Sequence, residues 1–239
     1  MDGAKGRHAN LAGQHSLIIG WGVDLIPNWA AERWYMVEAQ LRRRGIQDER
    51  VLRAMLEIPR EEFVPAESRL RACQDEPIQI GYGQTISQPY MTALMAEALE
   101  LAGTETVLEV GAGSGYAAAV LGALAARVVS VEIVPGLAQL ARQNLRRTAR
   151  GGNVTVVLGD GSLGYAEGGP YDGISVAAGA PEIPAALLEQ LNDPGRLVIP
   201  VGERHDQELR VVSKQRGNIG YRVATLCRFV PLRGGEGWG

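Results

Sequence analysis

Val107-Leu108-Glu109-Val110-Gly111-Ala112-Gly113-Ser114-Gly115-Tyr116 runs from a short apolar stretch into a cluster of glycines. Residues 106–110 are apolar and β-branched and end beside an acid, while residues 116–126 are rich in Ala and Leu, so the glycines fall on a strand-to-helix turn. Glycine at 111 and 113 lets the backbone turn sharply and approach a ligand closely. Free amides at the start of the following helix favour an anionic group there. The spacing is G-x-G-x-G, with Tyr116 where a dinucleotide-binding turn carries its third glycine, which argues against a dinucleotide. A glycine-rich turn that holds nothing is the bland alternative for a lone match.

The next strand ends narrow the choice. Residues 128–131 read as a strand closed by Glu132, about twenty residues after the glycines, where a carboxylate can accept hydrogen bonds from ribose hydroxyls. Residues 154–158 read as a third strand, ending at Gly159-Asp160-Gly161, and an acid there is placed to accept from an adenine amino group. One strand-end acid is often only a cap or turn residue. Glu109, Glu132 and Asp160 at three consecutive strand ends instead suit a ligand with a ribose, an adenine, an amino-acid head and no pyrophosphate, namely S-adenosylmethionine.

Outward from this centre, residues 38–44 and 48–57 read as helices, Gly45 ending the first and Asp48 capping the second. Pro59 and Pro65 then break the chain into loops before Gly83-Gln84-Thr85-Ile86-Ser87-Gln88-Pro89-Tyr90-Met91. Pro89 and Tyr90 open a helix through Leu101, since Met91, Leu94, Met95, Ala98 and Leu99 recur at helical spacing. Residues 136–147 and 184–191 are further helices, and residues 171–176 and 197–201 further strands. Residues 209–214 and 221–230 form a closing antiparallel pair with Gly217-Asn218 in the turn. Alternating strands and helices followed by a hairpin predict a largely parallel sheet with an antiparallel edge.

The glycine turn, Glu132 and Asp160-Gly161 resemble the class I methyltransferase pattern. Around them, Gly83 through Met91, with its distinctive Thr85-Ile86-Ser87-Gln88-Pro89, Ala180-Pro181-Glu182-Ile183-Pro184, Arg196 through Gly202 and Arg228-Phe229-Val230-Pro231-Leu232 resemble the protein-L-isoaspartate O-methyltransferases, as does Val51 through Pro65 upstream. The likeness runs in order from Met36 to Leu232. It implies a Rossmann-like α/β fold with helices on both faces of the sheet, S-adenosylmethionine as cofactor, and isoaspartyl proteins and peptides as substrates. It also implies that Ser87 carries the catalytic role. Thr85, Ser87, Glu109, Gly111, Ala112, Gly113, Gly115, Glu132, Asp160 and Gly161 would then meet the cofactor, and Thr85, Ser87, Val230 and Leu232 the substrate. Arg233 stands where some relatives carry a hydroxyl.

The nucleophile of that reaction is an α-carboxylate, whose pKa of about 3.3 to 3.7 leaves it ionised at neutral pH without a general base. Catalysis then rests on alignment and exclusion of water, for which a serine hydroxyl suffices. The ester formed is a better leaving group, so the chain can close to a succinimide that hydrolyses partly to normal aspartate.

Composition agrees with one α/β domain over residues 36–239, and the net charge of −3 offers no electrostatic footprint for nucleic acid. Cys73 and Cys227 lack metal or redox spacing, and the three histidines are not grouped, so no metal and a reducing, cytoplasmic compartment are expected, and the protein is expected to be a monomer. Residues 1–35 read as an extension expected to be flexible, with a targeting segment or an upstream start before Met36 as open alternatives. No apolar run is long enough to span a membrane. A nucleic-acid amino-methyltransferase would carry Asn/Asp-Pro-Pro-aromatic after the fourth strand, where this chain has Ala177-Ala178-Gly179-Ala180-Pro181. Two further readings are a methyltransferase that matures a small precursor peptide at one aspartate and a non-catalytic adaptor that recognises isoaspartyl proteins. The adaptor would carry an extra C-terminal region.

Overall fold

The structure, a computed structural model, describes residues 27–238. The described residues open with helix α1 (Trp29–Tyr35), capped by the Asn28 side chain, which accepts from the Ala31 amide at 3.2 Å. The helix does not stop at Tyr35. It continues through a π-helical turn (Met36–Leu41) and a 3-10 turn (Arg42–Arg44), and Gly45 ends it in the left-handed region at φ 101°. Helical structure thus begins at Trp29 instead of residue 38, inside the stretch read from sequence as an extension. Residues 1–26, expected from sequence to be flexible, lie outside the described residues. Asp48 caps α2 (Glu49–Glu57), accepting from the amides of Arg50 at 2.8 Å and Val51 at 3.4 Å.

The segment before Pro89 is not a plain loop. It folds as a hairpin of β1 (Ile78–Gly81) and β2 (Gln84–Ile86), whose two turn residues, Tyr82 and Gly83, both take positive φ, 54° and 70°. Ser87 leaves this hairpin and leads into α3 (Pro89–Ala98).

The remaining chain alternates as the pattern of apolar runs predicts. It passes through β3 (Thr106–Val110), α4 (Tyr116–Leu124), β4 (Arg127–Glu132), α5 (Pro135–Arg147) and β5 (Val154–Leu158). Then come β6 (Tyr171–Val176), α6 (Ala185–Gln190), β7 (Leu191–Gly202), β8 (Gln207–Gln215) and β9 (Asn218–Cys227). The seven-stranded sheet has the order β5-β4-β3-β6-β7-β8-β9, parallel up to β7 and antiparallel beyond. Neighbouring residues of β3 feed opposite faces: Val107 joins a core with α3, α4 and α5, and Leu108 and Val110 join a second core with Leu187 of α6. From β3 the chain winds outward one way to β5, then returns to β3's other side with β6, so a crevice opens at the carboxyl ends of β3, β4 and β6.

Three boundaries near the end differ from expectation. Strand β7 starts at Leu191, not residue 197. The β8–β9 turn is Arg216-Gly217, one residue early, because the Asp193 carboxylate accepts both turn amides, at 2.6 and 2.5 Å, and so supports positive φ at Arg216. Residues 228–230 leave the sheet, and residues 230–232 bond instead to Gly179: its amide donates to Val230 O and its carbonyl accepts from the Leu232 amide, both at 2.8 Å.

Candidate active site

Gly111 leaves β3 at φ 95°, a left-handed conformation that any side chain would strain. Gly115, at φ 87°, then forms the N-cap of α4 without a side-chain cap bond, and a Cβ there would sit 3.2 Å from Ala141 backbone in α5. The loop is therefore pressed between strand and helix. The glycine amides are used internally: Gly111 N donates to Val131 O and Gly115 N to Ala112 O, both at 2.8 Å, Gly113 N donates to Glu132 Oε2 at 2.9 Å, and beyond the loop Val134 N donates to Glu132 Oε1 at 2.9 Å. Each oxygen of this buried carboxylate is fixed by a main-chain amide and keeps a lone pair for another donor.

These residues form one side of a cleft. Gln84, Thr85, Ile86 and Ser87 bring the hairpin to a second side, and residues 230–233 make a third. Thr85, Ser87, Gly111, Ala112, Gly113, Glu132, Gly161, Val230 and Leu232, all singled out from sequence, line this one space. Ser114, Thr92, Ile133 and Arg233 line it too and were not among the candidates. Ser114 is informative because its hydroxyl is buried and has no partner among the described residues.

Three candidates stand elsewhere. Gly115 shapes the loop from behind and does not line the cleft. Asp160 is turned away: Oδ1 accepts from Ser162 N at 2.9 Å and Ser162 Oγ at 2.7 Å, and Oδ2 accepts from Gly235 N at 2.8 Å. Partial burial opposes its ionisation, but these bonds outweigh it and hold the carboxyl below the ordinary aspartate range. Asp160 thus anchors the C-terminal tail, which Trp238 Nε1 secures again by donating to Gly179 O at 2.9 Å. From this turn Gly161 lines the cleft, and the Asp160 side chain does not. Glu109 is also displaced, since it is enclosed in the sheet opposite Ser130.

Residues 33–237 match the family described as protein-L-isoaspartate(D-aspartate) O-methyltransferase. The chain belongs to that family. A protein-L-isoaspartate O-methyltransferase 2 of Marinobacter nauticus is 54% identical over 205 residues, covering 85% of this chain and 93% of that one. The protein-L-isoaspartate O-methyltransferase of Koribacter versatilis is 50% identical over 213 residues, covering 89% and 96%. Among solved structures, a Plasmodium falciparum β-aspartate methyltransferase in complex with S-adenosyl-L-homocysteine superposes with a TM-score of 0.71 at 28% identity, covering 84% of this chain and 98% of that one.

This isoaspartyl methyltransferase is therefore S-adenosylmethionine-dependent, and the residues of the cleft fit that cofactor. The unpartnered Ser114 hydroxyl and the uncapped start of α4 suit its polar amino-acid head, the anchored Glu132 carboxylate suits ribose hydroxyls, and Ile133 and Ala112 offer apolar cover for a base. Among the described residues no three His, Cys, Asp or Glu side chains gather into a metal-binding group. No described helix is long and apolar enough to cross a membrane.

Glu109 has a different consequence in this methyltransferase. Burial pushes its carboxyl up to about 8, a shift the Ser130 hydrogen bond opposes and the Glu132 charge assists. One of its oxygens has no partner among the described residues. An unfolded glutamate titrates near pH 4.3, so as pH rises the unfolded chain releases this proton before the folded one does. The contribution to stability is complete below about pH 4 and is lost progressively up to about pH 8. We expect Glu109→Gln to be more stable than the parent at pH 8, on the order of a few kcal/mol, with the gap shrinking toward pH 5. Urea denaturation at both pH values measures it, and a gap that does not change with pH would mean that Glu109 is not held protonated.

Proposed function

We propose that this cleft carries out methyl transfer to the free α-carboxylate of L-isoaspartyl residues with Ser87 as the catalytic hydroxyl, Glu132 as the ribose acceptor and residues 230–232 as the substrate rim. The observation that carries the assignment is the convergence of Ser87, the glycine loop and Glu132 on one space at the carboxyl ends of β3 and β4. S-adenosylmethionine, when bound, supplies an electrophilic methyl group on a positively charged sulfur.

The protein's part is positioning. Ser87 is half-buried, and its hydroxyl makes no hydrogen bond to another described residue, so it is available to a ligand. It can donate to one carboxylate oxygen and leave the other free to attack, without the tight ion pair that would blunt the nucleophile. Thr85, two residues earlier on β2, adds a second hydroxyl on the same side. Val230 and Leu232 are apolar and cover the attacking oxygen against water. The Gly111 to Gly113 backbone can approach the cofactor closely because no side chain intervenes. No His or Cys is needed as base or nucleophile. Burial raises both free thiols, Cys73 to about 12 and Cys227 to about 11, which keeps them protonated at neutral pH.

The reading extends to a cytoplasmic monomer acting on proteins and peptides, in keeping with its mild net charge of −3. Paired peptides test the substrate assignment. Unrelated isoaspartyl peptides are expected to be methylated, and their aspartyl counterparts not. Turnover restricted to one precursor peptide would point to peptide maturation, and isoaspartyl binding without transfer would point to an adaptor.

A further inference from the structure

We propose that Arg60 is a positioning residue for methyl transfer, aiming the Ser87 hydroxyl by holding the Ser87 main-chain carbonyl. The inference rests on the assignment of Ser87 as the catalytic hydroxyl. Arg60 follows α2 in a short 3-10 turn and is fully buried. Its Nη2 donates to Ser87 O at 2.7 Å and its Nε to Ala72 O at 2.8 Å. The guanidinium carbon lies 4.8 Å from the ring centroid of Tyr116, the first residue of α4.

Among the described residues no carboxylate pairs with this cation, since the adjacent Glu61 pairs with Arg33 instead. Nη1 has no hydrogen-bond partner among the described residues. Enclosing a cation without a counter-charge is costly, and an apolar side chain of similar length would fill the volume more cheaply. What the apolar chain could not do is tie three separate pieces of chain together: the turn ending near Ala72, the Ser87 loop and the start of α4. Two of these, through Ser87 and Tyr116, line the cleft. The planar fork suits that task because it donates along two fixed directions while its face rests on the ring.

The Ser87 side chain has no anchor of its own within the described protein, so its aim follows from its backbone. Downstream the backbone is held by the Asp75 carboxylate, which accepts from Tyr90 N at 2.8 Å. At Ser87 itself the Arg60 bond is the anchor from outside the loop. Loss of that bond should leave the cofactor side of the cleft standing and let the hydroxyl wander.

A double-mutant cycle of the parent, Arg60→Met, Ser87→Ala and the double variant tests this, with single-turnover transfer to an isoaspartyl peptide, peptide KM and cofactor affinity as readouts and circular dichroism to check folding. Arg60→Met is expected to lower the transfer rate roughly ten- to a hundredfold while KM and cofactor affinity change about threefold or less. In the Ser87→Ala background the same change should cost about twofold or less, because the group it aims is gone. An equal loss in both backgrounds, or a folded Arg60→Met at the parent rate, would overturn the proposal. Ser87→Ala at the parent rate would instead sink the Ser87 assignment, whatever Arg60 does. Should Arg60→Met not fold, Arg60→Lys replaces it in the cycle. A single ammonium cannot reproduce the two-directional fork, so an intermediate rate whose deficit vanishes with Ser87→Ala supports the proposal, and the parent rate or a persistent deficit refutes it.

Discussion

Ser87→Ala is expected to leave a folded protein that still holds its cofactor but transfers methyl groups to an isoaspartyl peptide about ten to a thousand times more slowly. The reason is geometric. An α-carboxylate is ionised without help, so the hydroxyl contributes by orienting it, and orientation is felt mainly in the transition state. Peptide KM should therefore rise much less than kcat falls. Ser87→Thr should retain part of the rate, because the hydroxyl survives while the added methyl group crowds a cleft already walled by Ile86 and Leu232. Single-turnover kinetics separate transfer from product release. A Ser87→Ala protein that transfers at the parent rate would make the loop a structural element and leave substrate orientation to other groups.

The second large effect is expected at Glu132. Replacing it with Ala should weaken S-adenosylmethionine binding by about 1.5 to 3 kcal/mol, the range for hydrogen bonds to a charged group. Two consequences are combined in that number. The ribose loses its acceptor, and the amides of Gly113 and Val134, which donate to the carboxylate at 2.9 Å each, lose theirs. Glu132→Gln separates them. The amide oxygen can still serve one of the two backbone donors, so the loop should loosen less while the charged acceptor is gone. Calorimetry on both variants reads the difference, and unchanged affinity in folded Glu132→Ala would reduce the residue to a turn cap.

Much of this architecture can be read from local patterns. The apolar run before Gly111, the glycines themselves and the acid at Glu132 act through near neighbours in sequence, and strand-turn-helix chemistry places all of them at one end of the sheet. Misreadings arise where distant residues decide. Asp160 looks like a cleft acid from its place after β5, yet Gly235, far along the chain, claims one of its oxygens. Glu109 precedes the last residue of its strand, and its register partner Ser130 draws it into the sheet. The β1–β2 hairpin was hidden because Tyr82 occupies a left-handed turn position that Gly, Asn or Asp would normally announce. The alternation of buried Ile78 and Ile80 with exposed neighbours was the available signal. Arg60 had no local signal, since its partners lie at residues 72, 87 and 116.

The third wall of the cleft, residues 230–233, has a bearing on biosynthesis. A chain emerges from the ribosome N-terminus first, and the parallel strands β3 to β6 are complete once residue 176 is out. At that stage the glycine loop and Glu132 can already meet, but Gly179 and its bonding partners Val230 and Leu232 are still to come. Nascent chains arrested between these points would hold a folded sheet with a half-open groove. Competence to shield the attacking carboxylate from water would thus arrive late in translation, set by the emergence of a short segment whose Leu232 also completes the second core.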